Sequence, residues 1–106
     1  MKLWIDDIRP APEGYAWKQS VYGAMHYINL CEAKARMHKD DSYAIELIDI
    51  DHDAGDYSNQ GGDYINLLNW LEETGRSYPI RIHSMNPVGV MNMRAIIRKN
   101  NWVEVF

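Results

Sequence analysis

An apolar run that ends abruptly in charged residues lies in the middle of the sequence, between Ala44 and Asp53. Its last three residues are Asp51, His52 and Asp53. A short apolar run of this kind is typical of a buried central strand, and the charged residues that follow it then lie at one edge of a sheet. We therefore predict a strand over residues 43–51, with any chemistry beginning at its carboxyl end.

Short apolar runs and amphipathic stretches alternate along the rest of the chain. We predict further strands over residues 2–7, 15–18, 79–82 and 102–106, the last of them at an edge of the sheet. Residues 8–14 contain two prolines and a glycine, so they are predicted to form a loop, as are the glycine-rich residues 54–62.

Three helices are predicted from N-cap residues followed by apolar residues at helical spacing. Ser20, Asp63 and Asn86 are the predicted N-caps, and Pro87 occupies the first helical position of the third helix. The first helix covers residues 21–37 and ends in a turn over residues 40–42, and Gly75 stops the second helix.

Strands that alternate with helices predict an α/β fold. We expect one domain, residues 1–106, with a five-stranded, mostly parallel sheet and about three helices on both faces. Ligands of such sheets bind beyond the carboxyl ends of the strands. Three predicted strands end in polar residues, which are Asp6 and Asp7, Asp51 to Asp53, and His83 and Ser84.

The carboxylates at this edge would repel one another strongly. Two like charges at ~4 Å cost about 4 kcal/mol at an effective dielectric constant of 20. A divalent cation bound by Asp6, Asp7, Asp51 and Asp53 would compensate, and carboxylate oxygens suit Mg²⁺ or Mn²⁺. Asp56 and Asp63 are expected to be solvated loop caps instead.

Four segments together resemble the receiver domains of response regulators. They are residues 3–10 (Leu-Trp-Ile-Asp-Asp-Ile-Arg-Pro), Asp51 to Asp53, residues 61–64 (Gly-Gly-Asp-Tyr) and residues 82–89 (Ile-His-Ser-Met-Asn-Pro-Val-Gly). The resemblance is closer still to the cyclic-phosphate processing receiver-like domains, and it runs nearly from end to end.

This resemblance implies a reduced receiver, that is, a flavodoxin-like three-layer fold with a metal site that handles phosphate. Asp6 and Asp7 then resemble the acids that hold Mg²⁺, Asp51 the phosphoacceptor, and Ser84 the hydroxyl that contacts the phosphoryl group. A receiver also has a lysine just after its fifth strand, and the sequence ends at Phe106 without one. We therefore do not expect conventional phosphorelay signalling.

The residues added to this edge predict a different phosphate chemistry. His52 and His83 are suited to general base and general acid catalysis near neutral pH, as the opening or hydrolysis of a cyclic phosphate requires. Arg9 is predicted to clamp the phosphate, and Ser84 and Asn86 to bind it near a helix N-terminus. We hypothesise a metal-assisted phosphoesterase or phosphodiesterase that acts on a cyclic phosphate or cyclic nucleotide.

Other interpretations of the same residues remain open. Either histidine can be a structural, hydrogen-bonded group, Arg9 can simply pair with Asp6 or Asp7, and Asn86 can be only a helix cap. The pair Asp49 and Asp51 also fits a haloacid-dehalogenase-like or Toprim-like phosphotransferase, although the chain is short for the former. The non-enzymatic alternative is a binding module that sequesters a nucleotide or docks on a protein partner.

Composition excludes several other classes of protein. The 11 basic and 15 acidic residues give a net charge of −4, which argues against a broad nucleic-acid-binding surface. No apolar run approaches the ~18 residues of a membrane span, and a single cysteine, Cys31, makes no intramolecular disulfide, so we expect a cytoplasmic protein. Cys31 is predicted to pack in the core, whereas His26 and His38 are predicted to lie on the surface.

Overall fold

The structure is a computed structural model that describes residues 1–39 and 41–106. The strands are β1 (Lys2–Ile5), β2 (Tyr15–Lys18), β3 (Leu47–Ile50) and β4 (Ile80–Ile82). The helices are α1 (Val21–His38), α2 (Ile65–Glu73) and α3 (Pro87–Lys99), with 3₁₀ turns over Asp41–Tyr43 and Gly55–Tyr57. All strand pairs are parallel, in the order β2-β1-β3-β4. Asp40, predicted to lie in the turn after α1, is outside the described residues.

Two of the three predicted helix caps are confirmed. The Ser20 hydroxyl accepts a hydrogen bond from Gly23 N at 2.9 Å, and Asn86 Oδ1 accepts one from Gly89 N at 3.0 Å. The predicted cap at Asp63 is wrong, because α2 begins one residue later, after Tyr64. Asp63 Oδ1 accepts from Ala54 N at 3.0 Å instead, so this carboxylate stabilises the loop before the helix.

All three helices pack on one face of the sheet. In the strand order, the connection from β2 to β3 and the connection from β3 to β4 both run towards the β4 edge of the sheet. Because such connections are right-handed, α1 and α2 lie on the same face of the sheet. Helix α3 packs against α2. One apolar cluster joins these helices to alternate strand residues, which are Leu3, Ile5, Ile48, Ile50 and Ile80. The fold has two layers where three were predicted, because residues 6–14 form a loop between β1 and β2 and contain no helix.

The predicted fifth strand, residues 102–106, is also wrong. Its backbone forms a single parallel bridge to β4, in which Ile80 N donates to Val103 O at 2.9 Å and Val105 N donates to Ile80 O at 2.8 Å. The backbone just before it is used to end α3, since Asn101 adopts a φ of 56° and Trp102 N donates to Ile97 O. The sheet therefore has four strands.

Helix α1 carries three side chains whose positions were predicted. Cys31 is buried in the core, which raises the pKa of its thiol, and His26 and His38 are exposed. Although α1 has 18 residues, no helix in the described part of the chain is both long enough and apolar enough to cross a membrane.

Candidate metal and phosphate site

The face of the sheet opposite the helices carries a row of polar and aromatic residues. Trp4, Asp49 and Arg81 are neighbours in register across β1, β3 and β4. Side chains alternate along a strand, so the residues two positions further on share this face at the carboxyl edge of the sheet. They are Asp6, Asp51 and His83.

The backbone of these three residues is fixed by the sheet itself. Asp6 N donates to Lys18 O at 3.3 Å, Asp51 N to Ile5 O at 2.9 Å, and His83 N to Ile50 O at 2.9 Å. The hydrogen-bond ladder thus extends one residue beyond each of the three strands. The parallel pairing of the strands brings the three side chains together.

His83 lies between two carboxylates. Its Nδ1 is 2.6 Å from Asp49 Oδ1, and its Nε2 is 3.0 Å from Asp6 Oδ2. The ring also stacks on Trp4, with the ring centroids 3.8 Å apart and the planes at 6°. The orientation of the imidazole is therefore fixed from three sides.

Asp49 is fully buried behind His83. In addition to the imidazole, Arg81 Nη1 donates to Asp49 Oδ2 at 3.1 Å. A buried carboxylate is tolerated when charged or hydrogen-bonding partners satisfy it, and Asp49 has both. The receiver-like interpretation of the sequence assigned this residue no role, and in the structure it holds the imidazole.

Asp6 is buried and held by backbone donors. Its Oδ1 accepts from Ile8 N at 2.9 Å and from Arg9 N at 2.8 Å. Burial alone would raise its pKa, but these hydrogen bonds and the one from His83 outweigh burial, so the pKa of Asp6 is lowered. Arg9 Nε lies 3.6 Å from Asp6 Oδ2, which is the ion pair considered above, and half of the Arg9 side chain remains exposed.

One trio of side chains at this edge has the geometry of a metal site. One ligand atom from each of Asp6, Asp51 and His83 lies within 4.8 Å of the others. Asp51 is nearly buried, with its Oδ1 accepting from His52 N at 2.7 Å, and its other oxygen accepts no hydrogen bond from the described residues. Two carboxylates and an imidazole are a donor set that suits a divalent cation.

Asp7 lies beside this trio. Burial and the negative charges of Asp6, Asp51 and Asp56 raise the pKa of Asp7. Gly55 leaves room for this carboxylate, since a Cβ on Gly55 would lie 2.2 Å from Asp7 Oδ2. Negative charge therefore accumulates at this edge, as the sequence predicted, and favours a bound cation.

A second trio separates Asp53 from the other predicted ligands. One ligand atom from each of His52, Asp53 and Asp63 lies within 4.8 Å of the others. His52 Nδ1 is 2.8 Å from Asp53 Oδ1, and this hydrogen bond lowers the pKa of Asp53. The set predicted as one metal site is thus divided between two neighbouring clusters.

A comparison with protein families bears on what this edge of the sheet does. The family model described as Cyclic-phosphate processing Receiver domain matches residues 1–99. The chain belongs to this family. Comparisons with curated proteins and with solved structures gave no match. Membership confirms the resemblance seen in the sequence and links the domain to cyclic-phosphate processing, whereas the roles of individual residues stay predictions.

In this receiver domain, the segment after β4 also leads into α3. Ser84 Oγ accepts from Asn86 N at 3.1 Å, and Asn86 caps α3 with its Oδ1. The Asn86 Nδ2 group reaches the second trio, at 3.3 Å from Asp53 Oδ1 and 3.4 Å from His52 Nδ1. The interpretation of Asn86 as a helix cap is confirmed, and its side chain also ties α3 to the second trio.

Sequence reasoning missed two features of the receiver domain's site, the stacking of Trp4 on His83 and the hydrogen bond between His83 Nδ1 and Asp49. The sequence did contain one indication that Asp49 lies near the site. Asp49 precedes Asp51 by two residues, so both side chains lie on the same face of a strand. The missing information was the register of β3 against β4, which pairs Asp49 with Arg81 and so places His83, two residues after Arg81, on the same face as Asp49.

Proposed function

We propose that this receiver domain is a divalent-metal-dependent phosphoesterase or phosphodiesterase that acts on a cyclic phosphate or cyclic nucleotide. The observation that carries the proposal is the convergence of Asp6, Asp51 and His83 at the edge of the sheet where α/β folds bind ligands. His52 directly follows Asp51 in the sequence. The family supplies the cyclic-phosphate class of substrate.

Asp6, Asp51 and His83 would hold the ion, with Asp7 beside them and Mg²⁺ or Mn²⁺ as the candidates. When bound, such an ion neutralises charge that develops on phosphate oxygens and lowers the pKa of a water molecule. The ionised Asp6 and the nearly buried Asp51 are suited to this use, since their charge is not dispersed into solvent.

His52 is the proton-transfer group in this proposal. Its Nδ1 is hydrogen-bonded to Asp53 at 2.8 Å, which orients the ring and leaves Nε2 for a substrate or water. A general acid or base that is positioned in this way typically raises the reaction rate by about 10²- to 10⁴-fold. Both nitrogens of His83 already lie against carboxylates, so proton transfer falls to His52, although the sequence also pointed to His83.

The phosphate would be bound between the loop after β1 and the start of α3. The Arg9 side chain is half exposed and approaches Asp6 through Nε, and its terminal nitrogens would bind a phosphate oxygen. On the other side, Ser84 and Asn86 precede α3, whose N-terminal N–H groups favour an anion.

The test is to incubate the purified protein with Mg²⁺ or Mn²⁺ and a panel of cyclic mono-, di- and oligonucleotides and 2′,3′-cyclic phosphates. We expect turnover that falls about 10²- to 10⁴-fold in His52→Gln and is abolished in Asp51→Asn. Asp56→Asn is the matched control, because it removes one nearby exposed carboxylate without touching either trio.

Three results would count against the proposal. Tight binding of an unchanged ligand supports the sequestering module that is the alternative prediction. Neither binding nor turnover across the panel favours a role in docking a protein. Equal loss of activity in Asp56→Asn and Asp51→Asn would mean that the edge acts through its overall charge.

A further inference from the structure

We infer that His83 is a direct ligand of the metal ion through Nε2, so that the site selects a first-row transition-metal dication such as Mn²⁺ over Mg²⁺. This inference rests on the metal dependence in the proposed function and specifies its cofactor. It also changes the role of His83 from the proton-transfer group that the sequence suggested to a ligand.

The position of the His83 ring carries the argument. Of its two nitrogens, Nδ1 points back to the buried Asp49, whereas Nε2 points to Asp6 Oδ2 at 3.0 Å. An ion within reach of both Asp6 and Asp51 is therefore also within reach of Nε2. Trp4 stacks on the ring, so the imidazole cannot swing away without losing this contact.

Asp49 supplies a second, independent observation. Histidines that bind metals almost always donate their other ring N–H to a carboxylate, carbonyl or water, which fixes the ring and the tautomer. Asp49 Oδ1 lies 2.6 Å from His83 Nδ1, and Asp49 is fully buried and paired with Arg81. Asp49 is thus a positioning residue that acts through His83.

The donor set determines the metal. Mg²⁺ strongly prefers oxygen ligands in octahedral geometry, whereas imidazole suits Zn²⁺, Cu²⁺, Fe²⁺ and Ni²⁺, and Mn²⁺ accepts an imidazole more readily than Mg²⁺ does. A site made only of Asp6, Asp7 and Asp51 would favour Mg²⁺. Replacing one oxygen by His83 Nε2 shifts the preference towards Mn²⁺ and its neighbours.

The second trio is the competing place for a nitrogen ligand. There, Asp53 is 61% exposed, and the His52 nitrogen that faces it is engaged by Asp53 and approached by Asn86. The His52 ring is oriented by the exposed Asp53, whereas the carboxylate that orients the His83 ring is fully buried. His52→Gln is therefore a matched control for His83→Gln, with the same chemical change in the neighbouring cluster.

The experiment is pulsed electron paramagnetic resonance of Mn²⁺ bound to the full chain without substrate. We expect a ¹⁴N coupling in the wild type that changes to a ¹⁵N coupling when histidine is labelled with ¹⁵N. The coupling should vanish in His83→Gln and persist in His52→Gln. Mn²⁺ affinity should fall more than about 10-fold in His83→Gln and about 10-fold in Asp49→Asn, with Mg²⁺ affinity changed less than Mn²⁺ affinity in both.

The outcomes separate this inference from the proposed function. Bound Mn²⁺ with no nitrogen coupling in the wild type overturns the role of His83 and leaves a metal-dependent enzyme possible. A coupling that vanishes only in His52→Gln moves the site to the second trio, and so also overturns the inference. A wild-type protein that binds neither Mn²⁺ nor Mg²⁺ refutes the metal dependence itself. The labelled wild type and labelled His52→Gln decide the matter even if His83→Gln fails to fold.

Discussion

Gly89→Ala is a sharp test of the position and role of His52. Gly89 is buried in α3 and lies against the His52 ring, so that a Cβ on Gly89 would be 2.5 Å from Cγ, 2.6 Å from Cδ2 and 2.8 Å from Nδ1. Carbon atoms in contact are normally about 3.5–4.0 Å apart. The ring must therefore move by about 1 Å or α3 must move outward.

Two opposing effects set the change in stability. Alanine in place of glycine inside a helix favours folding by up to about 1 kcal/mol. Overpacking a buried site costs about 1–3 kcal/mol. We expect the free energy of unfolding of Gly89→Ala to be lower than that of the wild type by about 0–2 kcal/mol, that is, no gain from the better helix former.

The effect on activity should be larger than the effect on stability. Displacement of the His52 ring lengthens the 2.8 Å contact between Nδ1 and Asp53 Oδ1. A misplacement of about 1 Å can cost about 10²-fold in rate, which is the loss of turnover that we expect for Gly89→Ala. Mn²⁺ affinity should change little, because the three atoms nearest to a Cβ on Gly89 all belong to His52, which is not a member of the first trio.

Urea unfolding, steady-state turnover and the NMR shifts of the His52 ring measure these three quantities. Asn92→Ala is the control, since Asn92 is exposed on the same helix and its replacement tests helix propensity alone. A Gly89→Ala protein that is stabilised as much as Asn92→Ala, with unmoved His52 resonances and full turnover, would contradict the reasoning.

Two further predictions concern stability. Asp49→Ala should lower the free energy of unfolding by about 1–3 kcal/mol in urea, because it leaves His83 Nδ1 without its carboxylate partner, whereas the exposed Asp56→Asn should change it by less than about 0.5 kcal/mol. For Glu32, burial opposes ionisation, but hydrogen bonds from Arg76 and Tyr78 and the charge of Arg76 hold its pKa below the usual value. A pKa that is lower in the folded than in the unfolded protein means that this stabilisation is present above the unfolded value, about 4.3, and is lost as the pH falls through the folded value. The melting temperature should therefore fall less between pH 6 and pH 2 in Glu32→Gln than in the wild type. An equal fall in both proteins would refute the prediction.

The local features of this fold could be predicted from the sequence because their causes are local. Ser20 and Asn86 cap helices through hydrogen bonds to residues three positions away, and apolar runs that end in acids identify strand ends. The general rule for parallel sheets then places Asp6, Asp51 and His83 at one edge.

The features that failed depend on contacts between distant parts of the chain. Asp63 has a cap-like sequence position, but its carboxylate is taken by Ala54 N from the preceding loop. The alternation of residues 102–106 is that of a strand, yet only Ile80 of β4 pairs with this segment. The role of Asp49 needed the register of β3 and β4, which hydrophobic pattern alone does not give.

The same register builds both the core and the site. Ile5, Ile50 and Ile82 are paired across the three strands and pack on the helix side of the sheet, and the next residue of each strand is a member of the first trio. A shift of one residue in any strand would exchange the two faces, burying a carboxylate or imidazole among the helices and exposing an isoleucine. Burial of the three isoleucines against the helices therefore favours the strand register in which the trio converges. It follows that the convergence of the trio requires no bound ion, because the register of the sheet alone brings the three side chains together.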